Sequence, residues 1–303
     1  MTGPGRHAAV VGATAAGKSA VAMALARRDP DWEVVSADSM QVYRRMDIGT
    51  AKATPAERAE VPHHLIDLLD PWEDGTVAWF QRQARVAIGD IEARGRRALL
   101  VGGTGLYVQA VVDDLDIPEQ FPEVRAELEG EPDTLALHRR LHDLDAVAAG
   151  RMEPANRRRV VRALEVTLGS GRPFSSFGPG IDAHPGTPFT MVGVTRPAED
   201  LVARIEARYA RQMAAGFLDE VRALHDHPRG ISRTAAQALG YRELLAHLRG
   251  DMTLDDAVHL ATVRTRQLAR RQRAWFRRDP RITWIDGSQE QNLLVDALAA
   301  VVG

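Results

Sequence analysis

AAVVGATAAGKSA, Ala8 to Ala20, is the stretch that decides how the rest of the chain is read. Ala8 to Val11 are short and apolar, as a buried parallel strand requires, and Gly12 to Ser19 follow the spacing G-x-x-x-x-G-K-S ahead of a helix-compatible run, Ala20 to Ala26. Strand, phosphate loop and helix are the context that this motif needs. Gly12 and Gly17 let the backbone curl, so that the N–H groups through Ala13, Thr14, Ala15 and Ala16 converge on an anion. Lys18 adds a mobile positive charge, Ser19 offers a hydroxyl to a magnesium ion, and the positive end of the helix dipole points at the same spot. The alternative is a chance match in a Gly/Ala-rich turn, and the flanking strand and helix argue against it.

The remaining strand signals extend an α/β core. Glu33 to Ala37 is a second apolar strand, ending at Asp38, Ser39, Met40 and Gln41. A carboxylate at the carboxyl end of a parallel strand beside a phosphate loop lies where open α/β sheets place their ligands. Asp38 is therefore a candidate for catalysis or for magnesium, and a helix N-cap is the competing role. Tyr43 to Ala53 reads as a polar loop near the site. In Pro62 to Pro71, His63 and His64 are adjacent and point to opposite faces of a strand, which speaks against a shared metal. Thr76 to Ala93 has the periodicity of an amphipathic helix, in which Trp79 packs. Arg97 to Val101 is the third strand and empties into Gly102, Gly103, Thr104 and Gly105, where a motor or switch ATPase ends in a magnesium-binding Asp. Close backbone approach to a ligand is the functional reading of those glycines, and a bare turn is the other.

Composition bounds the class. The chain has 303 residues, enough for a large core and two units, and no Cys, which excludes disulfides, thiolate catalysis and cysteine-based zinc sites. No apolar run resembles a signal peptide or reaches the ~18 residues that span a bilayer. A cytoplasmic protein without membrane attachment, acting as a monomer, is the expectation. The net charge of −2 by itself argues against a nucleic-acid binder, so the distribution of charge carries the information.

That distribution is uneven. An acidic, Pro-punctuated segment follows Val112, then helix-like stretches at Leu135 to Leu144 and Asn156 to Leu168, then a Gly/Pro/Ser-rich loop from Gly169 to Gly186. Arg157, Arg158, Arg159 and Arg162 crowd the start of the second stretch, where a basic first turn opposes the helix dipole. An external anion such as a phosphate backbone would justify them; pairing with Glu153 or Glu165 is the alternative. Thr190 to Thr195 returns as a strand, Pro197 to Leu224 reads as a long helix with Gly216 inside or breaking it, and Thr234 to Leu248 as another. Thr262 to Arg278 carries Arg264, Arg266, Arg270, Arg271, Arg273, Arg277 and Arg278 with no acid among them and with Trp275 and Phe276 interleaved. Arginine plus aromatics suits RNA, and pairing with acids elsewhere is the other possibility. Ile282 to Ile285 closes the chain's strands. The fold class expected is α/β, a P-loop NTPase-like core with a parallel sheet and a mainly helical insertion: residues 1–112 and 190–303 form the core, the latter with the basic C-terminal helices, and 113–189 the helical insertion.

VGATAAGKS, VVSADSMQVYRRMDIGTAK, PHHLIDLLDP, LLVGGTGLYVQA, NRRRVVRALEV, QALGYREL and RTRQLARRQRAWFRR, in that order, closely resemble the tRNA dimethylallyltransferases, bacterial type. The resemblance covers most of the chain. It implies transfer of a dimethylallyl group from dimethylallyl diphosphate, a co-substrate, to N6 of adenosine 37 beside the tRNA anticodon, with the base flipped into a channel. The partner implied is the tRNA anticodon stem-loop. The chain departs from the family's common GPTASGK at Ala13 and Ala16, has Pro154, Ala155 and Asn156 where many members have Pro-Asn-Asp, and has Gln237 where some bacterial members have an arginine.

An exocyclic adenine amine is a poor nucleophile, whereas an allylic diphosphate ionises once its leaving group is neutralised. On the resemblance, Lys18, the Gly12 to Ser19 backbone, Thr14, and Ser19 with Mg2+ hold diphosphate. Asp38 is the general base. Thr104 contacts the base or its backbone and Asp38 to Gln41 the flipped nucleotide, while Arg125, Arg158, Arg159, Arg162, Arg271 and Arg273 meet RNA phosphates. A small-molecule kinase would explain the loop without the arginines. A nucleotide-dependent RNA switch would need a carboxylate where Gly102 and Gly103 stand.

Overall fold

The computed structural model describes residues 6–303. The chain runs through β1 (His7–Gly12), α1 (Lys18–Arg28), β2 (Trp32–Ser36), α2 (Pro55–Glu60), β3 (His63–His64), α3 (Val77–Ala93), β4 (Arg97–Gly102) and α4 (Gly105–Val112). Four helices follow, α5 (Pro122–Glu129), α6 (Thr134–Leu144), α7 (Ala146–Gly150) and α8 (Arg157–Ser170). The chain then returns through β5 (Phe189–Thr195), α9 (Ala198–Ala214), α10 (Phe217–His225), α11 (Tyr241–Leu248), α12 (Leu254–Phe276), β6 (Thr283–Asp286) and α13 (Gln291–Val302).

The strands form one sheet in the order β3-β2-β4-β1-β5-β6, and every pairing is parallel. Val10 at its centre is in register with Val101 on one side and Val192 on the other. Strands covered on both faces read as continuous apolar runs, and every residue of β1 and β2 is buried. Two compact units result: the core, made of the chain up to Asp113 and of Gly186–Gly303, and a second unit, Asp114–Pro185. The second unit has its own apolar centre, with Leu128, Leu137, Leu141, Val160, Val161 and Leu164 fully or almost fully buried. Asn156 caps α8, its side chain accepting the Arg159 N–H.

Several elements differ from their sequence reading for identifiable reasons. The long helix over Pro197 to Leu224 is two helices, because Gly216 takes a left-handed φ of 95° between them. The stretch from Thr234 to Leu248 is α-helical in its second half only, with a short 3-10 turn at Ala235–Gln237 before it. Gly240 breaks it at φ 88°, where any Cβ would lie 2.7 Å from the Phe217 ring. The basic helix begins well before Thr262, at Leu254, because Thr253 caps it through the Asp256 N–H. β3 is two residues long, and Leu65 and Asp67 turn the chain away with positive φ. Among the described residues no helix is long and apolar enough to cross a membrane.

Candidate active site

Four strands that are neighbours in the sheet, β2, β4, β1 and β5, deliver the site at their carboxyl ends. They contribute Asp38, the Gly103–Thr104 turn, the phosphate loop and Arg196 respectively. The loop is shaped by necessity: a Cβ on Gly12 (φ 139°) would sit 2.5 Å from the Val194 carbonyl oxygen, and Gly17 (φ 106°) precedes the first helical residue, Lys18. Ala15 adopts φ 63° without being glycine. Ser19 is exposed at the start of α1, while Ala13 and Ala16 are buried.

Lys18 folds back, its Nζ donating to the Ala13 carbonyl at 2.8 Å. Burial lowers its pKa to about 8, with the Asp38 carboxylate opposing that shift and the Arg208 guanidinium reinforcing it. Asp38 is thus within Coulombic reach of the loop lysine, and it also adds to the burial that pushes the Tyr107 phenol up to about 12. No helix follows Asp38. Its Oδ1 accepts the Met40 N–H at 2.9 Å, which caps a turn, and its Oδ2 makes no hydrogen bond among the described residues. Thr104 Oγ1 accepts the Ser39 N–H at 3.3 Å, so the turn after β4 touches the turn after β2. Met40 packs against the core. Gln41 is turned inward, receiving the Ser36 hydroxyl and donating to the Thr50 carbonyl.

Three arginines that the sequence reading did not single out close on the loop. Arg196 Nε donates to the Ala16 carbonyl (2.9 Å), Arg204 Nε to the Ala15 carbonyl (2.8 Å), and Arg208 to the Thr14 hydroxyl (3.2 Å) and the Gly49 carbonyl (3.2 Å). Burial, reinforced by the nearby guanidinium groups of Arg196 and Arg211 and opposed by Asp200, lowers the pKa of Arg204 below the ordinary arginine value. The signal was present in sequence: Arg204 and Arg208 are four apart, hence on one face of α9. What was missing was the knowledge that this face meets the loop. Gln237, at the position of the family arginine, is exposed on a short 3-10 turn.

The loop from Tyr43 to Ala53 is held rigidly. Lys52, with its side chain 1% exposed, donates to the Tyr43 carbonyl and to the carboxylates of Asp47 and Asp67. Glu220 accepts the N–H groups of Asp47, Ile48 and Gly49. The glycines after β4 serve close approach, but to the protein itself. A Cβ on Gly102 would strike the Ala37 carbonyl, one on Gly103 would meet Gln272, and one on Gly105 would meet Trp275. Trp275 is therefore packed, Phe276 is buried, and neither is an open stacking platform.

The basic residues divide. In the Asp114–Pro185 unit, Arg162 pairs with Glu165 at 2.7 Å, and Arg125 pairs with Glu129 and reaches Glu165 at 3.4 Å. Arg157 binds the Glu129 and Glu131 carbonyls. Arg158 and Arg159 are exposed, and their side chains have no partner among the described residues. On α12, Arg264 pairs with Glu243 and Arg266 with Glu206. Arg271 is exposed, and Arg273 is half-buried with its Nε unpaired. His63 and His64 do not share a ligand: His64 bonds Glu33, His63 the Val61 carbonyl.

Fold and site define a phosphate-loop protein that sets an anion cradle beside an open carboxylate. The family model for IPP transferase matches residues 41–279, and that for isopentenyl transferase residues 6–69. The chain is 50% identical to the tRNA dimethylallyltransferase of Kineococcus radiotolerans, with 94% of this chain and 93% of that one covered. It is 51% identical to that of Streptomyces coelicolor, with 93% and 90% covered. Among solved structures it resembles the tRNA isopentenylpyrophosphate transferase of Bacillus halodurans (TM-score 0.70, 37% identity, 97% and 96% covered). It also resembles a eukaryotic dimethylallyltransferase captured acting on tRNA (TM-score 0.78, 26% identity, 93% and 73% covered). The chain belongs to the tRNA dimethylallyltransferase family, the IPP transferases.

Proposed function

We propose that this protein transfers the dimethylallyl group of dimethylallyl diphosphate to N6 of adenosine 37 in the tRNA anticodon stem-loop, releasing diphosphate. The observation that carries the reading is Asp38, its Oδ2 without a hydrogen bond among the described residues, within Coulombic reach of Lys18 of the phosphate loop from the strand end beyond β4. Lys18 and the loop N–H groups other than those of Thr14 and Ala16, which Gln272 and the Ala13 carbonyl already hold, take the diphosphate, and Arg196, Arg204 and Arg208 supply the charge that Gln237 does not. Neutralising the leaving group where negative charge develops is the largest lever available to such a site. As the allylic C–O bond breaks and the C–N6 bond forms, Asp38 accepts the N6 proton. A stacked base is out of reach, so the adenosine is extruded and held by Thr104, Ser39, Met40 and Gln41.

The site fits magnesium. Ser19 offers a hard hydroxyl oxygen at the start of α1, and among the described residues no group of three or more His, Cys, Asp or Glu forms a dedicated metal cage. An ion held mainly by the substrate's phosphates is what Mg2+ prefers. When bound it neutralises the leaving diphosphate. Arg158, Arg159, Arg271 and Arg273 meet RNA phosphates, whereas Arg125 and Arg162 are committed to Glu165 and are withdrawn from that role.

The test is purified protein with dimethylallyl diphosphate, Mg2+ and unmodified tRNA, set against AMP and ATP. Prenylated tRNA is expected without ATP; obligatory ATP hydrolysis or preference for AMP would sink the reading. Asp38→Asn should retain binding of both substrates and lower turnover by roughly 100-fold or more, the usual contribution of positioned proton transfer. Near-normal turnover would return Asp38 to capping its turn.

A further inference from the structure

Gln272 lies on α12 between two arginines, yet its side chain faces inward. Its Oε1 accepts the Thr14 N–H at 2.8 Å, and its Nε2 donates to the Gly103 carbonyl at 2.9 Å. One amide thus bridges the phosphate loop after β1 and the turn after β4. That turn in turn holds Ser39 through Thr104, one residue from Asp38. The approach is built in, because a Cβ on Gly103 would lie 2.6 Å from Gln272 Nε2, and one on Gly105 would overlap Trp275, one helical turn further along α12. A surface glutamine needs no such accommodation, and α12 has core residues enough, Ala261, Thr265, Ala269 and Phe276, to pack without it.

We infer that Gln272 is a positioning residue for the transfer reaction: it sets the separation between the loop that holds the diphosphate and the turns that present the base and the nucleotide. This rests on the function proposed above. An amide of this length does this, since Thr14 needs an acceptor and Gly103 a donor from the same side chain. A carboxylate supplies the first alone, and a thioether of equal length supplies no strong partner for either. Gln272 touches no reacting atom. Its effect reaches the chemistry through the distance between the halves, on which transfer depends steeply while binding to each half does not.

The experiment compares wild type with Gln272→Met, Gln272→Glu and Gly103→Ala. It reads turnover, KM for both substrates, calorimetric binding of inorganic diphosphate, tRNA affinity and thermal melting. Gln272→Met should lower kcat by roughly 10- to 100-fold, the scale on which a displacement of about 1 Å acts, with diphosphate binding and tRNA affinity unchanged and melting lowered by only a few degrees for the two hydrogen bonds lost. Gln272→Glu keeps the acceptor, and it should recover part of kcat while raising KM for dimethylallyl diphosphate through its negative charge. Gly103→Ala pushes the amide away and should reproduce the kcat loss. Combined with Gln272→Met it should add little, because the two act on one contact. Unchanged kcat in Gln272→Met overturns the inference. So does a loss matched by falls in melting temperature and both affinities, which marks a purely structural role. A wild-type enzyme with no transfer activity overturns the proposed function, and this inference with it, whereas active wild type with insensitive variants overturns the inference alone.

Discussion

α8 and α12 are both arginine-rich in sequence, and they use their arginines at opposite ends. α8 crowds Arg157, Arg158 and Arg159 into its first turn, with no acid there. That is the positive end of the helix dipole, where cations are unfavourable. α12 begins with Asp255 and Asp256 and ends with Arg273 in its last turn, as the dipole prefers. Its mid-helix arginines, Arg264 and Arg266, are spent on Glu243 and Glu206. In α8 the spending is by Arg157 on carbonyls and by Arg162 on Glu165, which leaves Arg158 and Arg159 outward in an unfavourable place. The exposed cations of α12 cost that helix nothing, whereas those of α8 are held at a cost that an external phosphate would offset.

Three experiments break or sharpen that contrast. The largest effect is expected at Glu165, buried with one oxygen bonded to Arg162 and to the Phe121 N–H, and the other to Arg125. Glu165→Ala should destabilise the protein by about 2 kcal/mol in urea denaturation, the scale of hydrogen bonds to a charged group, limited because both arginines can turn to water. A negligible change would mean that Arg125 and Arg162 are free for RNA after all. Next in size, replacing Arg158 and Arg159 together by Ala should weaken tRNA binding and lower the slope of log affinity against log salt by roughly 1.4 to 1.8, for two phosphate contacts. Removing Arg125 and Arg162 should leave the slope alone; equal slopes for the two pairs would erase the distinction. The smallest effect separates the helix ends. Arg158→Glu should raise unfolding stability by a few tenths of a kcal/mol, whereas Arg273→Glu should lower it by a similar amount, both attributable to the dipole. Changes of the same sign would show that local pairing, and not the dipole, governs these ends.

The core and its loop were legible because their signals are local. G-x-x-x-x-G-K-S, the doubly buried apolar strands and Asp38 at a strand end each follow from a few adjacent residues. The glycines after β4 were legible as a place of close approach but not as to what approaches, since Gln272 and Trp275 lie about 170 residues away in sequence. Helix breaks at Gly216 and Gly240 were half legible: glycine permits a left-handed φ, but whether the chain takes it at Gly240 depends on the Phe217 ring beside it. Where the aromatic pair of the basic helix packs was hidden for the same reason, because alternation with arginine does not say which face is covered.

From sequence alone came the class of fold, the anion cradle, the carboxylate and the family, all of which rest on the order and type of neighbouring residues. Tertiary structure decided which charges are available. Arg196, Arg204 and Arg208 stand against the phosphate loop, and Arg125 and Arg162 against Glu165, by virtue of what lies opposite each guanidinium. A charge's partner is set by distance in space, and the sequence holds that distance only through the fold.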